Sequence, residues 1–357
     1  MRRKGRSIAA ARKWMAAGLL FTLAPAAAES RAWGQGPAGP ASTTWTVTIV
    51  LPPRLVAGQP ATLAVLGTDG KLARGVEVDL GQGARVRTDP IGRAYFTVPT
   101  GENYLIAKSQ GSSAAALVDQ APSAPANSLA VDARVSLKDT FSICGGGFAG
   151  DAEANRVQLR GEPALVLAAS PECLVVLASP QTKPGPAAVS VKTPMAERAG
   201  ETTLVALQYA APEPPLLAQK KSRLVVTAVG TEDPVRIRIQ NESPGVLQFS
   251  HGDQQELNTS GGAANQASFE VEAIRSGDYS FQARIVPIAD TADAGRYLDA
   301  ARPLAGENLG KELKKLAQRL KRHPRDAEKV RAELDYILNT VMAGDLRTLL
   351  VAARNSL

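Results

Sequence analysis

The stretch FSICGGGFAG, Phe141 to Gly150, fits G-x-G-x-x-G at Gly145, Gly147 and Gly150 directly behind a strand-like run, and the reading of the fold turns on the residues after it. A dinucleotide cradle needs a helix there, so that free amide groups and the helix dipole meet the pyrophosphate. The chain continues instead as DAEANRVQLRGEPALVLAAS, with Val157 and Leu159 alternating and Gly161-Glu162-Pro163 making a turn. That is strand chemistry, and it argues for a β-turn against a nucleotide site.

Beyond that turn, nearly everything past residue 43 and before residue 290 reads as short strands punctuated by Gly, Pro, Asn and Asp. Two Pro- and Ala-rich breaks, QAPSAPANS at Gln120 to Ser128 and APEPP at Ala211 to Pro215, divide the strands into three units of sandwich size. The expected organisation is a signal peptide at 1–28, a tether at 29–43, a sandwich at 44–119, a linker at 120–128, a second sandwich at 129–210, a linker at 211–221, a third sandwich at 222–289 and a helical tail at 290–357.

In the first unit, VRTDPIGRAYFTVP (Val86 to Pro99) resembles the hairpin of bacterial immunoglobulin-like and carboxypeptidase-regulatory-like domains. In the second, FSICGGGFAG, the two strands after it and KPGPAAVSVKT together resemble an IPT/TIG domain over Leu129 to Tyr209, with Phe148 in the place of a core plug below the turn. The GGG run departs from the single or double glycine commoner in that family. The resemblances imply tandem immunoglobulin-like β-sandwiches, of a kind that serve as spacers and accessory modules; with the helical period of the tail, the expected fold is mostly β, tandem immunoglobulin-like β-sandwiches with a C-terminal α-helical segment. The third unit has no family resemblance; its PVRIRIQ sets Val235, Ile237 and Ile239 on one face and Arg236, Arg238 and Gln240 on the other, as a half-exposed strand should.

The formal net charge of +7 overstates how basic the folded part is. Six of the 41 basic residues (Arg2, Arg3, Lys4, Arg6, Arg12, Lys13) precede residue 29, where there is no Asp or Glu, which leaves 35 against 34 acidic residues. That near-neutral remainder speaks against a nucleic-acid partner. The basic head, the apolar run from Met15 to Ala28 and the site Ala26-Ala27-Ala28 make the layout of a cleaved secretory signal, too short for a membrane span. A periplasmic or extracellular location is therefore expected, with no transmembrane segment after signal removal.

Cys144 and Cys173 are the only two cysteines. In an oxidising compartment such a pair is either bridged or a pair of buried thiols. The IPT/TIG resemblance sets them on neighbouring strands of one sheet and so implies a disulfide. Parity leaves a question: with Phe141 and Ile143 pointing inward Cys144 points outward, while ECLVVLAS can be read with Cys173 on either face.

Catalytic chemistry has little material. The two histidines, His251 in FSHGDQQE and His323 before Pro324, fall in different units, and no zinc-protease, serine-hydrolase or Walker motif occurs. A metal at His251 and Asp253 lacks further ligands nearby, so a polar turn is expected there. No catalytic, cofactor-binding or metal residue is assigned. The expected function is that of an exported interaction or scaffold module with a protein or envelope-polymer partner, the alternative being polysaccharide binding. Aromatic residues are only 4% of the chain, and Trp45 and Tyr104 are the candidates for a sugar platform.

In the tail the period changes from two to that of a helix. Leu309, Leu313, Leu316 and Leu320 confine themselves to a stripe about 60° wide, and Lys311, Lys314, Lys315, Arg319, Lys321 and Arg322 take the other faces. Pro324 restarts the chain, Val330, Leu334, Ile337, Leu338 and Val341 form a second stripe, and DLRTLLVAARNSL reads as a third helix capped by Asp345.

Overall fold

The computed structural model describes residues 47–126, 128–210, 220–287 and 289–357. The signal segment, the tether, Trp45 and most of the break at 211–221 lie outside the described residues. The protein is mostly β: three sandwiches come one after another and four helices complete the chain.

In the first sandwich one sheet runs Thr48–Val50, Pro60–Leu66, Arg93–Thr97, and the other runs Arg54–Val56, Ser112–Asp119, Tyr104–Ser109, Glu77–Asp79, Arg85–Arg87. Leu63, Val65, Val78, Phe96 and Leu105 fill the space between them. The hairpin at Val86–Pro99 is held by its own side chains. Asp89 Oδ1 accepts from the amides of Ile91 and Arg93, and buried Thr88 bridges the Val76 amide and the Ala73 carbonyl. Gly92 sits at φ +77°, where a Cβ would stand 2.6 Å from that of Leu72, so the turn needs glycine twice over.

The second sandwich stacks Ala130–Val131, Phe141–Cys144, Cys173–Leu177 and Glu162–Ala169 over Arg156–Leu159, Gly185–Lys192, Glu197–Tyr209 and Arg134–Ser136. Ile143, Phe148, Leu174 and Val191 are buried in its core. Cys144 and Cys173 stand directly opposite one another in the antiparallel pair and form a disulfide. The adjacent pair, Ile143 and Leu174, points into the core, so the bridge lies on the outer face. Cys173 is nonetheless fully buried. The outer face of this sheet packs on the first sandwich, where Val50 and Ala64 meet Leu167, Ala168 and Val175. CLVVL is apolar throughout because both of its faces are covered.

That joint is tight. Thr62 Oγ1 donates to the Gly150 carbonyl at 2.7 Å, Ser170 Oγ donates to the Arg54 carbonyl at 2.6 Å, and a bridge pairs Ala169 with Thr62. Gly150 lies so close to Pro60 that a Cβ there would stand 2.0 Å from the Pro60 carbonyl oxygen.

Strand Glu197–Tyr209 belongs to two sandwiches. Glu197 to Leu204 pairs with Gly185–Lys192, while Ala206 to Tyr209 pairs with Lys221–Val229 of the third sandwich. Leu204 is accordingly buried in the second core, and Val205 and Leu207 in the third. The third sandwich sets this strand end, Lys221–Val229, Gln266–Ala273 and Leu247–Phe249 against Gln254–Asn258, Arg236–Asn241 and Phe281–Ile285, around Phe249, Phe269, Ile237 and Ile239.

The helices are α1 (Thr291–Ala301), α2 (Glu307–Arg322), α3 (Ala327–Thr340) and α4 (Asp345–Asn355). Apolar periodicity in the sequence marks the last three and misses α1, whose buried positions Ala294, Tyr297, Leu298 and Ala301 are spaced as a helix but are half alanine. Its N-cap is Asp290, which accepts from the amides of Ala292 and Asp293. Asp345 does not cap α4: it is the first helical residue, Gly344 holds the cap position, and Asp345 pairs with Lys108 at 2.5 Å. The leucine stripes of α2 and α3 close the helical core, and α1 and α4 carry that core onto strand Ser112–Asp119, where Ile106 and Leu117 face it from the outer side of the first sandwich.

Gly150→Ala should cost about 1–3 kcal/mol by overpacking the joint between the first two sandwiches, read as a lower urea midpoint. The unfolded, unreduced protein should show no titratable thiol; reduction should then remove about 3.5 kcal/mol on the chain-entropy estimate for a 29-residue separation.

Candidate interaction site

The residues singled out from the sequence are dispersed. Gly145, Gly146 and Gly147 all have positive φ, and the turn they form is occupied by the chain itself. Ala126 N and Arg198 Nη1 both donate to the Gly145 carbonyl, Ser123 N donates to Glu172, and Arg198 lies 4.5 Å over the Phe148 ring. Where a phosphate-binding helix would begin, Asp151 caps one 3-10 turn at Ala152–Ala154 and the strand Arg156–Leu159 comes next. His251 is exposed on a turn, and Asp253 accepts from Asn241 Nδ2 at 2.8 Å. His323 is exposed at the end of α2. Among the described residues no three His, Cys, Asp or Glu side chains come together to hold a metal. Tyr104 is half-buried beneath the helices and packs with their core, so its ring is not a free platform.

The densest polar constellation lies where the third sandwich meets the tail. Strand Gln254–Asn258 puts Glu256, 12% exposed, beside Arg236 and Arg238 of the neighbouring strand. Arg238 Nε donates to Glu256 Oε1 at 2.6 Å and Arg236 Nη2 reaches Oε2 at 2.8 Å. From the helices, Arg331 Nη1 donates to Oε2 at 3.0 Å and Arg354 Nη2 stands 4.0 Å from Oε1. Glu328 pairs with Arg236, and Asp335 accepts from Arg354 at 2.8 Å. Burial by itself would raise the Glu256 pKa; the hydrogen bond from Arg238 and the charges of Arg238, Arg331 and Arg236 outweigh it and hold the carboxyl below the ordinary glutamate range.

Sequence periodicity assigns Arg236 and Arg238 to a solvated face. That face is instead covered by α3 and α4. The signal that was available is the placement of Arg331 and Arg354: both fall next to apolar stripe positions and both are buried in the fold.

A cavity of about 270 Å³ opens beside this cluster, lined by Arg134, Val235, Arg236, Ile285, Glu328 and Arg331 among others. Its arginine donors suit carbonyl, hydroxyl or carboxylate oxygens. They do not suit proton abstraction, because guanidinium groups stay charged in proteins.

The tail is fastened to the first sandwich by a second set of ion pairs. Arg54 donates through Nε and Nη2 to the two oxygens of Asp293 at 3.0 and 2.8 Å, and Arg296 reaches Asp119 at 2.6 Å. Burial raises the pKa of Asp293, with Arg54 opposing it. Tyr297 lies in the same seam, and burial pushes its hydroxyl above the ordinary tyrosine value. Among the described residues no helix is long and apolar enough to cross a membrane.

No family model matches the sequence, and no curated protein matches it. Among solved structures, the Bacteroides ovatus mixed-linkage glucan utilization locus protein SGBP-B, in complex with a mixed-linkage heptasaccharide, is 11% identical with a TM-score of 0.25, over 70% of this chain and 74% of that one. The I9–I11 tandem from titin is 9% identical with a TM-score of 0.21, over 67% of this chain and 95% of that one. The N-terminal four Ig domains of Dscam1 isoform 7.44 are 9% identical with a TM-score of 0.21, over 68% and 72%.

Replacing Glu256 with Ala leaves several buried arginines without their carboxylate, and should cost about 3–5 kcal/mol. Hydrogen exchange should then show α3 and α4 losing protection. Because the folded pKa is depressed, the contribution is complete above the ordinary glutamate value of about 4.3 and is lost as pH falls through the lower folded value. Acid release of the tail should therefore begin only below that value, and should be absent from the pH profile of Glu256→Gln.

Proposed function

We propose that this chain is an exported, non-catalytic interaction scaffold of the cell envelope or exterior. The observation that carries the reading is the tail, which is fastened at one side to the first sandwich through Arg54–Asp293 and Arg296–Asp119 and at the other to the third through Glu256. With the apolar joint between the first two sandwiches and the strand common to the second and third, the four parts hold one another in fixed order. A body that presents several loops and strand edges at fixed separations suits partner binding. The resemblance of 129–209 to an IPT/TIG domain, a type used as an accessory module, supports the same reading, and so does a disulfide, which an oxidising compartment preserves. Against catalysis stand exposed histidines in separate parts.

Two measurements test it. Mass spectrometry of the exported protein should give Glu29 as its first residue; retention of Met1 on a membrane-bound product would refute export through a cleaved signal. Crosslinking and pull-down of the intact protein from its native envelope should capture the same partner repeatedly, and Glu256→Ala should weaken that capture by releasing one side of the clamp. If nothing is retained in repeated captures, the scaffold reading is wrong.

A further inference from the structure

Seven of the thirteen Lys and Arg residues at 289–357 are paired with a carboxylate or join the Glu256 cluster. Arg296 meets Asp119, Arg302 meets Asp299, Lys311 meets Glu307, Arg319 meets Glu333 and Lys329 meets Asp326. Arg331 and Arg354 join the Glu256 cluster, and Arg347 donates to the carbonyls of Leu338 and Val341. The exceptions fall together. Among the described residues Lys314, Lys315, Lys321, Arg322 and Arg325 are exposed and have no carboxylate within ion-pair distance. From Leu313 to Arg325 the sequence contains no Asp or Glu.

Helical geometry makes these residues one surface. At 100° per residue, Lys315 and Arg322 lie opposite the buried stripe of Leu313, Leu316, Ala317 and Leu320, and Lys314 and Lys321 form a second row about 100° away on its flank. Lys314 and Lys321 are seven residues apart, about 10 Å along the axis, and Arg325 lies on the 3-10 turn that follows the helix. The apolar side of α2 is packed into the tail core, so the cations stand on a helix fixed by that packing.

We propose that the outer face of α2 is a binding site for an acidic polysaccharide, gripped through its carboxylates. The proposal rests on the reading of the protein as a binding module and names the chemistry of one of its ligands. Charge complementarity favours a polyanion. A lipid surface would add a border of large apolar side chains, and α2 exposes none. A single-stranded nucleic acid would add aromatic stacking, and α2 contains no Phe, Tyr or Trp. A polyuronate needs neither: its repeating carboxylates are served by a row of cations, and lysines, as compact point charges, suit that use.

The test uses the full mature chain, with polygalacturonate as probe and dextran as the neutral control. At low ionic strength the protein should bind polygalacturonate and not dextran, with affinity falling at least tenfold in 0.5 M NaCl. The triple variant Lys314→Glu, Lys321→Glu, Arg322→Glu changes exposed groups only and should keep its thermal midpoint while losing at least tenfold in affinity. A charge-matched control, Lys183→Glu, Lys192→Glu, Lys220→Glu, should bind as the parent does. If the two triple variants weaken binding equally, net charge is responsible and the site assignment is overturned. The assignment also falls if the parent ignores polygalacturonate, or binds vesicles containing anionic phospholipid or a DNA duplex more tightly. Partner capture that persists alongside such a failure would remove the α2 site and leave the scaffold reading standing.

Discussion

One carboxylate joins the tail to the third sandwich. Glu256 lies at the meeting of a β-strand and two helices, and its neighbours Arg236, Arg238, Arg331 and Arg354 come from both sides of the seam. Four guanidinium groups would repel one another and carry a desolvation cost that none could recover alone. With Glu256 between them, and Glu328 and Asp335 at the margins, charge and hydrogen bonding are nearly balanced. Such a cluster contributes less net stability than an apolar seam of equal size, but it is specific: the strand and the helices fit in one register only.

The other joints work differently. Between the first and second sandwiches the seam is apolar, with Thr62 and Ser170 supplying the few hydrogen bonds. Between the second and third there is hardly a seam, because the backbone of Glu197–Tyr209 runs through both sheets and its side chains change core at Leu204 and Val205. A hinge there would have to break strand pairing. Covalent continuity, apolar packing and buried charge thus each secure a different junction, and each responds to a different perturbation.

The local chemistry was legible in the sequence, and the relations between parts were not. Glycines with Val157-x-Leu159 behind them identify a turn into a strand, and Thr88-Asp89 with Gly92 identifies a hairpin, because both depend on neighbours within a few residues. CLVVL could not be assigned a face because the fold buries both, which erases the alternation that carries the information. Arg236 and Arg238 read as solvated for the converse reason: a polar face docked on a polar partner has the same pattern as a face in water. Glu256, in the plain stretch QQELN, had nothing to mark it, since its four partners lie as far as 98 positions along the chain. Helix α1 was overlooked because an alanine-rich stripe is a weak apolar signal.

The cover that α1 and α4 bring to Ile106 and Leu117 also sets an order of events. The first sandwich carries those two side chains on an outer face, while the residues that cover them follow it in the chain only after the second and third sandwiches. Throughout the production of the second and third sandwiches the first has an apolar patch in contact with water. Its completion requires contacts such as those of Tyr297 with Ala115 and of Thr348 with Ser113, 182 and 235 positions apart, and closing so long a loop is slow. A nascent chain in this state is adhesive, and two of them side by side could exchange tails, each helical cap settling on its neighbour's first sandwich. The feature that makes the finished molecule a single closed body is therefore also the one through which crowded molecules would become domain-swapped dimers.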